Sequence, residues 1–183
     1  METTRVYLRA LEPDDYLVSY KWRNDRELMN GTIGIPRFVS KETERKWVLK
    51  AIEEHETGKA IRLAICLKEN HQHIGYIYLE SIDHQNKSCV IGTLIGERKF
   101  QKQGLASEAR YLIFKYAFFE LGMNRVHARI LSINEASRRS AEQFGYVYEG
   151  TLRKAIYRNG EFHDVLLFSM LRDEFLDKYN LLV

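Results

Sequence analysis

Hydrophobic residues recur along the chain with two periods, two and 3.6, and the switches between them mark out the elements. Val6 and Leu8 share one face of a first strand, "RVYLRA". Pro13 follows where a helix can begin, since its missing N–H costs nothing in a first turn. "DDYLVSYKWRNDRELMN" carries Leu17, Tyr20 and Leu28 at helical spacing, and Gly31, Gly34 and Pro36 break it into a loop. Ser40 is placed to cap "KETERKWVLKAIEEHETG", with Gly58 as its stop. In that helix Trp47 with Ala51, and Val48 with Ile52, pair four residues apart on the buried face.

"AIRLAICL", "HIGYIYLESI" and "SCVIGTLIG" are strand-like runs separated by the turns "KENHQ" and "DHQNK", a pattern that predicts an antiparallel meander. "LASEARYLIFKYAFFELG" is a helix whose apolar stripe runs through Leu105, Ala109, Leu112, Ile113, Tyr116 and Ala117, with Gly122 as its end. "NRVHARIL" is a strand and "NEASRRSAEQFG" a short helix closed by Gly145. "YVYEGTLRKAIYR" and "EFHDVLLFSML" form a hairpin around Asn159-Gly160, the favoured type I′ turn pair. The order is β-α-α-β-β-β-α-β-α-β-β. It predicts an α/β protein in the broad sense, an α+β mixed sheet with helices packed on it, and not the strict alternation of a dinucleotide-binding fold.

Composition narrows this little. A chain of 183 residues fits one domain spanning positions 1–183. Its net charge of +3 gives no ground for a nucleic-acid partner. No apolar run approaches the length of a membrane span, and "METTRVYLRA" lacks the layout of a signal peptide. Cys66 and Cys89 lie in apolar strand runs and read as buried free thiols, which places the protein in the reducing cytoplasm.

One junction asks for chemistry. "FQKQGLASEAR", Phe100–Arg110, crowds amides and cations around a glycine between a strand and a long helix. It is either a tight turn or a seat for an anion, because a helix N-terminus presents unpaired N–H groups and a partial positive charge. No GxxxxGK[ST] occurs, so it is not a P-loop, and no GxGxxG follows a first strand. Gln101-x-x-Gly104-x-Ala106 resembles the (Gln/Arg)-x-x-Gly-x-(Gly/Ala) motif of the GCN5-related N-acetyltransferases (GNAT). Asn134-x-x-Ser137, Phe144-Gly145-Tyr146 and Glu149-Gly150 resemble the second cofactor segment of that family, and the element order matches nearly end to end. "WRND" at Trp22–Asp25, "KWV" at Lys46–Val48, "IDHQNKSCVIG" at Ile82–Gly92 and "NGEFHDV" at Asn159–Val165 are similar to the RimJ/RimL type, which acetylates ribosomal proteins and shares features with spermidine acetyltransferases.

The resemblance implies the GNAT fold, acetyl-CoA as cosubstrate and no metal. It implies pyrophosphate on the amides of Gln101, Lys102, Gln103, Gly104, Leu105, Ala106 and Ser107. The pantetheine arm would run along Leu94 and Ile95, on a strand splayed from its neighbour, with a backbone N–H near those residues facing the acyl oxygen. Gly92 and Gly96 would suit a bulge there. Asn134 would contact the pantetheine region, or cap its helix, or both; Arg139, like Arg138, would approach the phosphates or lie on a solvated face. Asp83 occupies the place of a catalytic glutamate of the serine-specific relatives, and Ser137 that of their proton-donating serine. Turn-forming and first-turn roles are the alternatives for these two. Glu80 is a second candidate base. Two positions depart from the family: Ala141 stands where many members have a tyrosine acid, and Val90 where many have an acidic residue. Ser140 and Tyr148 are further candidate acids.

His71 and His73 form an HxH pair with no supporting carboxylate in sequence, which argues for solvated side chains and against a metal site. The expected function is direct transfer of an acetyl group to a primary amine of a protein N-terminus, a polyamine or an amino sugar. A weakly catalytic acyl-CoA-binding module is the alternative that Ala141 and Val90 suggest. "WRNDRELMNGTIGIP" lies where the family builds its acceptor wall, and a C-terminal hairpin edge offers a means of forming a homodimer.

Overall fold

The computed structural model describes residues 1–181. Seven strands form one sheet: β1 (Val6–Ala10), β2 (Ile61–Leu67), β3 (His73–Asp83), β4 (Ser88–Ile95), β5 (Arg125–Leu131), β6 (Val147–Arg158) and β7 (Glu161–Leu171). They lie in the order β1-β2-β3-β4-β5-β7-β6. Every neighbouring pair is antiparallel except β4 and β5, which run parallel. This is the mixed sheet that the element order predicts.

The helices are α1 (Tyr16–Asn24), α2 (Arg26–Asn30), α3 (Lys41–Glu56), α4 (Leu105–Lys115), α5 (Glu135–Phe144) and α6 (Arg172–Tyr179). Alternate residues of β2 show how they divide between the two faces of the sheet. Ile61, Leu63 and Ile65 join the core that holds Phe114, Phe144 and Phe175 of α4, α5 and α6. Ala64 and Cys66 face the opposite way, against Trp22 and Ala51 of α1 and α3.

Caps and stops fall where side-chain chemistry puts them. Ser40 Oγ accepts the Thr43 N–H at 3.0 Å, opening α3. Gly58, Gly122 and Gly145 take left-handed backbone after their helices, where a Cβ would be strained. Asn159 and Gly160 both have positive φ, as a type I′ turn requires.

Four details differ from the sequence expectation. The helix expected through residues 14–30 breaks at Asp25, whose extended backbone lets its carboxylate cap α2 at Leu28 N–H. The buried face of α1 carries Ser19 and Trp22, while Leu17 is exposed. The helix expected as far as Gly122 leaves α geometry at Lys115 and finishes as a π turn, Tyr116–Glu120. The helix α6 was not anticipated: it is short, and its single buried anchor, Phe175, is held by tertiary contact with Phe114, Phe118 and Tyr111.

Candidate active site

The parallel pair opens a cleft. β4 and β5 pair only at Ser88–Val90 against Arg125–His127, while β5 stays paired with β7 to Leu131. From Ile91 onward one edge of β4 therefore has no strand partner among the described residues. Gly96 N–H bonds to Ile74 C=O of β3 at 2.8 Å. Strand alternation then turns the Leu94 N–H toward β3 as well, and the N–H groups of Thr93 and Ile95 toward the opening. The cleft measures about 390 Å³ and takes walls from both faces of the sheet. No bulge forms at Gly92 or Gly96; the register shift lies between Glu80 and Asp83. These glycines serve close packing instead. A Cβ at Gly92 would lie 2.0 Å from the Tyr78 ring, and one at Gly96 2.0 Å from the Trp22 ring.

Past the end of β4 the chain makes a 3₁₀ turn, Arg98–Phe100, and enters α4 through Gly104. Lys102 and Gly104 both have positive φ, 59° and 81°. Such a left-handed step turns successive N–H groups to one side, a concave anion site. No side chain caps α4, so its first-turn N–H groups, those of Leu105 and Ala106, face outward unpaired. Gln101 Nε2 ties the loop to Ile95 C=O at 2.9 Å, and Gln103 Nε2 bonds Lys99 C=O at 2.6 Å. Ser107 lies in the first turn with its N–H on Gly104 C=O.

Of the other residues singled out in sequence, Leu94, Asn134, Ser137 and Glu80 line the cleft. Asn134 does two jobs: Oδ1 accepts the Ser137 N–H at 3.0 Å, capping α5, and Nδ2 donates to Gly31 C=O at 2.7 Å. It thereby ties the loop after α2 to the cleft. Arg138 and Arg139 ion-pair with acids on their own helix, Arg139 with Glu135 at 2.9 Å. Asp83 is not among the lining residues. It is half-buried, and its carboxylate accepts from Asn86 N–H, Asn86 Nδ2 and Gln85 N–H. The Asn86 bonds hold it below the ordinary carboxylate range, which makes it a weaker base. It also sits opposite Ser88, at the closed end of the cleft and about 23 Å of strand from Ile95.

Sequence reading weighed Arg138 and Arg139 but passed over the arginines that line the cleft. Arg110 of α4 lines the cleft and is buried. Its Nη1 donates to Ser140 C=O at 3.2 Å and Oγ at 2.9 Å, and among the described residues no carboxylate pairs with it. Burial holds its pKa below the usual guanidinium value. A buried cation without a counter-ion fits an anionic ligand. The readable signal was a charge interrupting the apolar line from Ala106 through Ile113 to Ala117. Arg23 and Arg129 also line the cleft, with Trp47, Tyr76 and Tyr78.

Histidine and cysteine chemistry leads elsewhere. His73 is buried, correcting its solvated reading: Nδ1 lies 3.0 Å from Asp15 Oδ1 and Nε2 3.0 Å from Gly75 C=O. Both cysteines are buried free thiols, and burial pushes Cys89 up to about 12, far from a nucleophilic thiolate.

The family model for the acetyltransferase (GNAT) domain matches residues 5–147. A prophage-derived uncharacterised N-acetyltransferase, YokL, of Bacillus subtilis is 30% identical over 92% of this chain and 90% of its own. The ribosomal-protein-serine acetyltransferase of Escherichia coli is 30% identical over 75% of this chain and 76% of its own. The spermidine N-acetyltransferase of Vibrio cholerae, solved with CoA and spermine, superposes with a TM-score of 0.85 at 22% identity, over 95% of this chain and 99% of that one. A splayed parallel strand pair, an uncapped helix at its open end and a domain match over most of the length converge: this chain belongs to the GNAT family, enzymes that move an acetyl group from acetyl-CoA to an amine.

Proposed function

We propose that the cleft between β4 and β5 is where the acetyl group passes to a primary amine, and that the enzyme is of the RimJ/RimL type. The observation that carries this is the loss of β4–β5 pairing after Val90, beside the uncapped start of α4. Acetyl-CoA, when bound, supplies the acyl group and a thiol leaving group. The amides from Lys102 to Ala106 hold its pyrophosphate, since the N–H groups of Gln101 and Ser107 are already on Arg98 and Gly104 C=O, and the N–H groups of Thr93 and Ile95 pair with its amide-rich arm as a neighbouring strand would. The oxyanion donor is then a N–H facing the opening, Thr93 or Ile95, and the Leu94 side chain packs along the arm.

An ammonium cannot attack, so a base must take its proton. Glu80 is the carboxylate lining the cleft, with Arg62 at 3.3 Å; it replaces Asp83 in that role, acting through water. Ser137 presents its hydroxyl from the first turn of α5 and donates toward the departing sulfur. Ala141 removes the phenol that many members carry at that position, Tyr146 lines the same side of the cleft as a buried phenol, and the Arg110 guanidinium beside Ser140 supplies positive charge there.

The acceptor is a protein N-terminus, a polyamine or another small amine, as the activities named for the relatives suggest. No helix among the described residues is long and apolar enough to cross a membrane, and buried thiols suit the cytoplasm. The open edge of β6, with Val147, Tyr148 and Leu152 exposed, suits pairing with a second copy. Titration calorimetry with acetyl-CoA, followed by thiol release on adding an amine panel, tests the proposal. Micromolar binding and amine-dependent thiol release are expected. No heat at millimolar acetyl-CoA overturns it.

A further inference from the structure

We infer that the acetylated amine carries a carboxylate a few bonds from its nitrogen, and that Arg129 and Arg23 hold that carboxylate; the inference rests on the acetyl-transfer reading above. Val126 and Ile130 of β5 pack into the core under α4 to α6. Alternation therefore turns Arg129 to the other face, where Tyr76 packs with α1 and α3. That face of the cleft is the acceptor side, since the donor amides lie at α4. Arg23 of α1 and Trp47 of α3 join Arg129 in the cleft lining.

The charges on this wall do not balance. Arg129 is exposed and has no ion pair among the described residues. The acid nearest Arg23 is Glu44, Nε to Oε2 3.5 Å. Glu44 is fully buried, accepts from Ser19 Oγ at 2.6 Å, and is held toward its neutral form by burial. Glu80 is the lining carboxylate and is already shared with Arg62. Other acids nearby have partners of their own: Asp25 and Glu27 with Arg98, Glu54 with Arg62, Glu42 with Lys46, Glu97 with Trp22 Nε1 and Asp83 within its own turn. A polyamine would bring two or more ammonium groups to a wall with one carboxylate, already paired, and a surplus of guanidinium. Like charges without compensation disfavour that ligand, whereas a guanidinium reads a carboxylate with paired hydrogen bonds.

Thiol release is measured with matched acceptors: Ala-Glu-amide against Ala-Gln-amide, Gly-Ala against Gly-Ala-amide, and spermidine. The two pairs distinguish a side-chain carboxylate from a terminal one. In at least one pair the carboxylate member is expected to lead by about tenfold in kcat/KM, through KM. Spermidine is expected below both members. Arg129→Gln should bring the ratio within that pair toward one, chiefly by raising the KM of the carboxylate member. Calorimetry of the same acceptors with CoA present reads the charge preference without turnover. A retained preference with no thiol release would support the anion subsite and overturn only the acetyl-transfer reading. Spermidine as the best acceptor, or a charge preference that survives both Arg129→Gln and Arg23→Gln, overturns the inference.

Discussion

The two walls of the cleft are built in opposite ways. On the proposed reading the donor wall is mostly backbone: the amides from Lys102 to Ala106, a left-handed glycine, and the free edge of one strand. The acceptor wall is mostly side chains drawn from α1, α3, β3 and β5. Backbone recognition needs a local conformation, so it is written in consecutive residues. Side-chain recognition needs convergence, so its parts are scattered over more than a hundred positions.

Gly104→Val is the harshest test of this contrast. It forces a Cβ into φ +81° at the donor seat and should weaken acetyl-CoA binding by about 100-fold with a modest stability loss. Unchanged binding by calorimetry would mean that the donor wall is not a backbone device. Arg110→Met comes next and should have effects of opposite sign. Removing a buried guanidinium without a counter-ion should raise stability by about 1 kcal/mol in urea unfolding, while acetyl-CoA affinity falls about tenfold. If both fall together, Arg110 is a structural group and the donor wall needs no charged side chain.

Glu44→Gln probes the acceptor side through pH. Burial raises the folded pKa of Glu44 above its unfolded value. Its favourable contribution is therefore complete below the unfolded pKa and lost as pH rises through the folded one. The variant should match the parent near pH 4 and gain about 1 kcal/mol relative to it by neutral pH. A variant that instead loses stability relative to the parent as pH rises through the carboxylate range would show Glu44 ionised in the folded protein and paired to Arg23, which would bring the acceptor wall closer to charge balance. Asp83→Ala should do least, leaving kcat within about twofold because its carboxylate is engaged in its own turn. A large fall in kcat would move the acceptor site toward the closed end of the sheet.

Much of the fold was legible because its signals are local. Ser40 and Asn134 are caps, Gly58 and Gly145 are stops, and Asn159-Gly160 is a turn, all from side-chain or φ preferences that act within a few residues. The break at Asp25 was hidden because Asn24-Asp25 is flanked by good helix formers, Arg23 before it and Arg26, Glu27 and Leu28 after it, and only the cap to Leu28 reveals it. α6 was hidden because one phenylalanine in a short polar helix carries no period; what holds it is Phe175 against Phe114 and Phe118.

The sequence by itself determined the donor. Read from its own residues, the Phe100–Arg110 junction left a tight turn or an anion seat open, and it is the family match, carried by the whole chain, that makes acetyl-CoA the donor. Only the tertiary structure decided which charges meet the acceptor. Glu80, Asp83 and Glu44 look alike in a chain of letters, but strand parity, one turn and one buried hydroxyl send them respectively into the cleft, away from it and beneath it. Parity likewise brings Arg129 of β5 to the acceptor face with Arg23 of α1. The physical reason is that an electrostatic site is a sum over neighbours in space, and the chain order of those neighbours carries almost none of that sum.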